Sequence, residues 1–220
     1  MLTLGINLKN FKIKKKNLTI KKNYNSLINE TNEILSSFKK TYVYNYKKKD
    51  LIKFKKFNNF RVIGMGGSSL GAQAIYDFLH HKIKKNFEFI NNLQPTQKIK
   101  KKKYVNLIIS KSGNTTETII NSNLIIKKND RNIFITENKN SYLYQLAEKL
   151  KSEIIHHNNY IGGRYSVLSE VGMLPTELMG LNPKKFKNFN NLIKSKKFLN
   201  ALILGVGGIL EFHQKKNLIQ

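Results

Sequence analysis

Short apolar runs recur along the chain from residue 58, and most of them lead through small residues into a longer amphipathic stretch. Five of these runs have the length and the β-branched or aromatic content of buried strands: residues 60–64, 87–90, 104–109, 132–136 and 153–156. Helical periodicity follows three of the runs; Leu70, Ala74 and Phe78, for example, are spaced four residues apart. The alternation predicts an α/β fold: a doubly wound parallel sheet flanked by helices on both faces.

Composition divides the chain into three predicted parts. Residues 1–57 are rich in lysine and asparagine and carry one helical stretch, whose apolar face would be formed by Leu27, Ile28, Ile34, Leu35 and Phe38. Residues 58–165 hold the α/β pattern, and residues 166–220 are mostly helical, with a strand expected to begin at Leu218. We therefore expect a helical segment on the outside of one α/β domain, followed by the helical start of an incomplete second domain.

The composition excludes several classes of protein. With 220 residues the chain is too long for a miniprotein, and without cysteine it has no disulfides, no thiolate nucleophile and no zinc site built on cysteine. No apolar run approaches the ~20 residues that a membrane-spanning helix needs. The amino terminus also lacks the apolar block of an export signal. We expect a cytoplasmic protein with no membrane partner.

The charge is strongly positive, with 40 Lys and Arg against 13 Asp and Glu, or a net charge of +27. A nucleic acid or another acidic surface is the obvious candidate partner. Only Arg61, Arg131 and Arg164 are arginines, however, so the side chain best suited to bidentate recognition of bases and phosphates is rare. This balance favours a lysine-coated surface of compositional origin over a nucleic-acid partner.

The loop at residues 110–118, with the sequence SKSGNTTET, carries the strongest chemical signal. It places five hydroxyl groups and one ammonium group where a strand ends and a helix begins, and the free amides of that helix would add further donors. Such a set of donors predicts a phosphate ligand. The alternative is that the hydroxyl groups only cap the helix, a role that Ser112 or Thr115 could fill.

Two further loops carry weaker signals. Residues 64–71, with the sequence GMGGSSLG, lie between a strand and a helix and predict either an anion site or a tight structural turn. Arg164 lies in a glycine turn, where its guanidinium group could stabilise an oxyanion or form a structural ion pair. His156 and His157 precede that turn without a second pair of ligands, so we expect no metal site and a solvated or capping role for both.

These three loops, in this order and spacing, resemble those of the glucose-6-phosphate isomerase family. The third is the most specific, because residues 162–169 read GGRYSVLS and are followed by Val171 and Gly172. The resemblance covers about residues 55 to 180. It implies that the phosphate is held by residues of the second loop, namely Ser110, the Lys111 backbone, Ser112, Gly113, Asn114, Thr115 and Thr118. It further implies that Gly67 and Ser68 contact the sugar end and that Arg164 stabilises the enediolate.

The resemblance also implies an activity. The family interconverts glucose 6-phosphate and fructose 6-phosphate by moving a proton between C2 and C1 through a cis-enediol, without a metal or organic cofactor, and it assembles as a homodimer. Its glutamate base and its ring-opening histidine and lysine come from chain beyond the position of residue 220. We therefore expect either a fragment of a longer enzyme or a relative that binds sugar phosphates without turning them over.

Overall fold

The computed structural model describes residues 18–29, 32–93, 103–127, 129–187 and 190–217. The described residues divide into two compact units. One comprises residues 33–185 and contains the sheet, and the other combines residues before 33 with residues after 185. The candidate site residues all belong to the sheet unit. The expected strand at Leu218 lies outside the described residues.

The sheet has five strands, each matching a predicted apolar run: β1 (Asn59–Ile63), β2 (Asn86–Ile90), β3 (Val105–Ile109), β4 (Arg131–Thr136) and β5 (Glu153–His156). Their order is β2-β1-β3-β4-β5, and every neighbouring pair is parallel. This confirms the predicted parallel α/β fold. In the sheet β2 lies on one side of β1, and β3 lies on the other side of β1. The direction in which successive strands are added therefore reverses between β1 and β3.

The helices in chain order are α1 (Leu18–Asn29), α2 (Lys48–Lys55), α3 (Leu70–Leu79), α4 (Thr116–Ile125), α5 (Tyr142–Lys149), α6 (Glu170–Leu178), α7 (Asn190–Ile193) and α8 (Lys196–Asn217). Short 3-10 helices cover Glu33–Phe38, Gly66–Ser68, His80–Lys82, Gly163–Leu168 and Pro183–Lys187. Within the described residues no helix is long and apolar enough to cross a membrane.

Side chains alternate between the two faces of the sheet and build a core on each. On one face Val105, Leu107 and Ile109 of β3 pack with residues of α2 and α6, and partly buried residues of α3 complete that layer. On the other face Ile108 packs with Ile63 and with residues of α4 and α5. Helices therefore cover both faces, as the pattern predicted.

Segments on either side of the α/β pattern share this core. Leu51 and Phe54 of α2, a helix that the sequence pattern did not predict, are buried in it, and so are Val171 and Leu174 of α6. The single helical stretch expected across residues 27–38 is instead two elements, because α1 ends at Asn29 and a separate 3-10 helix begins at Glu33. The predicted division at residues 57 and 165 stays a prediction about the complete protein.

Candidate functional site

The glycine loop and the hydroxyl loop begin side by side at the carboxyl ends of β1 and β3. Gly64 follows β1, and an added Cβ there would lie only 2.8 Å from the carbonyl oxygen of Ile109. Glycine therefore allows the first loop to lie directly against the last residue of β3, which precedes Ser110. In parallel α/β sheets, ligands bind at this position, beyond the strands where the winding reverses.

The glycine loop also contacts the turn that carries Arg164. An added Cβ on Gly67 would come within 2.7 Å of the Cα of Gly163, so this approach requires glycine at position 67. The hydroxyl group of Ser166 lies 3.1 Å from the carbonyl oxygen of Gly67 and 2.8 Å from that of Gly163 and donates to them. The side chain of Val167 packs against Gly71, where an added Cβ would overlap it. These contacts join two loops that are about a hundred residues apart in the sequence.

The start of α5 holds the hydroxyl loop in shape. Gly113 has a φ of +67°, and a side chain at this position would overlap the hydroxyl group of Ser141. The amide of Leu143 donates to the carbonyl oxygen of Gly113 at 3.0 Å, and the amide of Tyr142 donates to Oδ1 of Asn114 at 2.9 Å. Gly113 and Asn114 therefore shape the loop.

The hydrogen bonds of this loop test whether its hydroxyl groups cap α4. Thr115 is the N-cap residue of α4, but its side chain makes no capping hydrogen bond. Its Oγ1 lies instead 2.9 Å from Oγ of Ser110. Ser112 is exposed and accepts a hydrogen bond from the Asn114 amide at 3.2 Å, which leaves its own O–H free to donate. Neither Ser112 nor Thr115 therefore caps α4 through its side chain.

Lys111 and Thr118 are less accessible than the sequence indicated. The ammonium group of Lys111 lies 3.7 Å from Oε1 of Glu137, so it is directed to that carboxylate, and its carbonyl oxygen accepts from the Glu137 amide. Thr118 is 1% exposed, and its hydroxyl group has no hydrogen-bond partner among the described residues. An acceptor could satisfy that hydroxyl group only after a local movement, because the atom is sealed from solvent.

Arg164 is exposed and forms no ion pair with any residue that the structure describes. Arg61 differs, because its Nε lies 3.1 Å from Glu88 and its guanidinium group stacks on Tyr104. The structural ion pair considered for Arg164 is therefore not formed within the described residues. Its charge is available to a ligand beside the glycine loop.

Comparison with known proteins agrees with this arrangement of loops. A family model described as phosphoglucose isomerase matches residues 13–203. The chain belongs to the phosphoglucose isomerase family. A glucose-6-phosphate isomerase of Acholeplasma laidlawii is 40% identical over 146 residues, covering 56% of this chain and 34% of its own length. One from Methanocaldococcus jannaschii is 36% identical over 152 residues, covering 62% and 37%. The chain thus spans about a third of these relatives.

Solved structures support the same fold. A hypothetical protein from Thermus thermophilus superimposes with a TM-score of 0.61 and 20% sequence identity, over 89% of this chain and 52% of that protein. At this level of identity the likeness concerns the fold alone. It supports the arrangement of strands and helices described above.

Glu170 of this phosphoglucose isomerase family member forms a buried network that sequence reasoning missed. It is fully buried at the start of α6 and accepts hydrogen bonds from the Tyr42 hydroxyl group at 2.9 Å and from the Asn45 amide at 3.0 Å. Nδ1 of His157 lies 4.0 Å from Oε2. Burial alone would raise the pKa of Glu170, but His157, the Asn45 amide and the Tyr42 hydroxyl group together hold the pKa below its ordinary value.

This network corrects the expectation for His157. That side chain is 1% exposed beside Glu170, because the chain after β5 turns inward, whereas the sequence reasoning expected a solvated or capping residue. His156 is exposed, and its Nδ1 accepts from the amide of Asn138 at 3.0 Å. Among the described residues no group of three or more His, Asp or Glu side chains is arranged to hold a metal ion.

Proposed function

We propose that the complete protein interconverts glucose 6-phosphate and fructose 6-phosphate. The observation that carries this proposal is the convergence of the three loops, in which Gly64 lies against Ile109 and Gly67 lies against Gly163. A phosphate donor loop, a glycine loop and an unpaired guanidinium group then border one region at the carboxyl end of the sheet. Family membership supports the same activity.

In the proposed site the hydroxyl loop binds the phosphate. Ser110, Ser112 and Thr115 donate from their hydroxyl groups, and amides of Lys111 and of the first turn of α4 add the donors that a helix leaves free at its start. Gly113 and Asn114 shape this loop, and Thr118 contributes after a local movement. Gly67 and Ser68 contact the sugar end.

Arg164 stabilises the enediolate in this proposal. A base removes the proton from C2 of the open-chain aldose, and a proton is later returned at C1. Between these two proton transfers, negative charge grows on the enediolate oxygen. A fixed cation lowers the energy of that intermediate most when it is already in place. The phosphate grip acts at the other end of the substrate and orients the reacting carbons. No cofactor has a role in this mechanism, and the base belongs to none of the residues assigned here.

We further propose that the complete protein is a cytoplasmic homodimer acting in glycolysis and gluconeogenesis. In it residues 58–165 would form the first sugar-isomerase domain, with residues 1–57 as a helical amino-terminal segment and residues 166–220 opening a second domain. We propose no nucleic-acid partner for the lysine-rich surface.

Two measurements test the function. The complete gene product should convert fructose 6-phosphate to glucose 6-phosphate in a coupled assay, and absence of turnover would overturn the enzymatic proposal. Calorimetry on the 220-residue chain should detect binding of glucose 6-phosphate that is lost in a Thr115→Ala, Arg164→Ala double variant. Binding without turnover by the complete product would identify a non-catalytic sugar-phosphate-binding module instead.

A further inference from the structure

A cavity lies at the amino-terminal edge of the sheet, away from the candidate site. It has a volume of about 390 Å³ and opens where β4 and β5 begin, at Arg131 and Glu153. The candidate site lies beyond the opposite ends of the strands. A strand of five or six residues spans about 17–20 Å, so the two regions are separate.

Two cations of this cavity have no acidic partner among the described residues. Lys53 pairs with Glu153, so these two charges offset each other. Asp130 accepts hydrogen bonds from the Lys127 amide at 3.0 Å and from the Asn106 side chain at 3.4 Å, which engage its carboxylate in the turn before β4. The guanidinium group of Arg131 and the ammonium group of Lys151 pair with neither acid.

Arg131 contacts an aromatic ring and forms no ion pair with the described residues. Its guanidinium carbon lies 5.4 Å from the centre of the Phe57 ring, within the range of a cation–π contact, which leaves its N–H groups free to donate. The chain contains three arginines among its 40 basic residues. Of the other two, Arg61 has an ion pair and Arg164 belongs to the candidate site.

Lys151 has a backbone conformation that is unfavourable for a residue other than glycine. Its φ is +50°, the left-handed region in which helices normally end with glycine, and its amide closes the end of α5 by donating to the Glu148 carbonyl oxygen. A lysine here strains the backbone, yet its side chain lines the cavity. Strain retained at one position is a reason to look for a function there.

We propose that this cavity binds a small organic phosphate no larger than a nucleoside monophosphate. Arg131 and Lys151 hold the phosphate group, and the organic part lies against the apolar side chains of Leu150 and Ile154, which also line the cavity. The volume is within the range of small-molecule sites, and most of the lining side chains are polar or charged. This site is independent of the proposed isomerase activity.

The test is calorimetric titration of the 220-residue chain with adenosine monophosphate and, separately, with inorganic phosphate. Arg131→Ala should weaken adenosine monophosphate binding at least about tenfold, the loss expected for one charged hydrogen bond. Lys84→Ala removes one exposed lysine elsewhere and should change neither affinity. Binding that is equally strong in Arg131→Ala would overturn the proposal, and so would equal affinities for the nucleotide and for inorganic phosphate.

Lys151→Gly separates a ligand role from a structural one. Glycine relieves the left-handed strain, so this variant should unfold at a higher temperature than the unsubstituted chain. It should nevertheless bind adenosine monophosphate several-fold more weakly, because the ammonium group is gone. Higher stability with unaltered nucleotide affinity would show that Lys151 only ends the helix, and the proposal would fail.

Discussion

At the scale of single residues, the paired hydroxyl groups of Ser110 and Thr115 are the most informative feature of the candidate site. They lie 2.9 Å apart, and Ser110 is only 2% exposed. Thr115→Ala removes a proposed phosphate donor and leaves the Ser110 hydroxyl group without the Thr115 hydroxyl group as its partner. We expect phosphate binding to weaken by about 1 kcal/mol or more, measured by calorimetry with glucose 6-phosphate. Thr115→Ser retains the hydroxyl group and should bind nearly normally; equal losses in both variants would contradict the assigned role.

The contact between Gly67 and Gly163 gives a second prediction at this scale. An added Cβ on Gly67 meets backbone atoms of Gly163, which cannot move aside as a side chain would. Gly67→Ala should therefore destabilise the fold by about 1–3 kcal/mol in urea denaturation. Gly162→Ala is the matched control, because Gly162 has a φ of −72° and no atom lies within 4 Å of the added Cβ. Its stability should be unchanged or slightly increased.

At the scale of elements, Glu170 ties residues 42–45 to the start of α6. The pKa of Glu170 is lower in the folded chain than in the unfolded chain. The ionised carboxylate therefore stabilises the fold at any pH above its unfolded-state pKa, and this stabilisation is lost as the pH falls through its folded-state pKa. Glu170→Gln should thus be less stable than the unsubstituted chain near neutral pH, by about 1–3 kcal/mol. That difference should shrink on acidification, as followed by denaturant titrations.

Glu148→Gln serves as the control for this titration. Glu148 is exposed on α5 and forms no ion pair with the described residues. Its substitution should leave the dependence of stability on pH close to that of the unsubstituted chain. If the free energies of unfolding of Glu170→Gln and of the unsubstituted chain differed by the same amount at every pH, Glu170 would contribute packing and not charge.

Elements with strong local patterns could be predicted from the sequence, and contacts between distant elements could not. The strands were found because buried parallel strands are nearly continuous apolar runs, such as residues 105–109, in which Asn106 is the one polar residue. Helix α2 was missed because only Leu51 and Phe54 are buried among its lysines. The hydroxyl loop was found from its composition. The burial of Thr118, the pairing of Lys111 with Glu137 and the network of Glu170 depend on residues brought together by folding.

At the scale of the whole molecule, the most prominent feature is the net charge of +27. Like charges on a compact surface repel one another, and the repulsion is screened as the Debye length falls from about 14 Å at 0.05 M to about 4–5 Å at 0.5 M salt. We expect sodium chloride to raise the free energy of unfolding over this range. The same screening should abolish any association with nucleic acid, which would be independent of sequence and would weaken steeply with salt.

Phosphate salts separate this general screening from a specific site. At equal ionic strength, sodium phosphate and sodium chloride screen the lysine coat to a similar degree, but phosphate also stabilises folded proteins because it is excluded from their surface. Only the part of the additional stabilisation that a site substitution removes therefore reports binding to the folded state. We expect such an excess in thermal unfolding. Because we propose that the hydroxyl loop and the cavity at Arg131 both bind phosphate, Thr115→Ala and Arg131→Ala should each reduce the excess, and the double variant should reduce it further. An excess that neither substitution reduces would contradict both proposed sites.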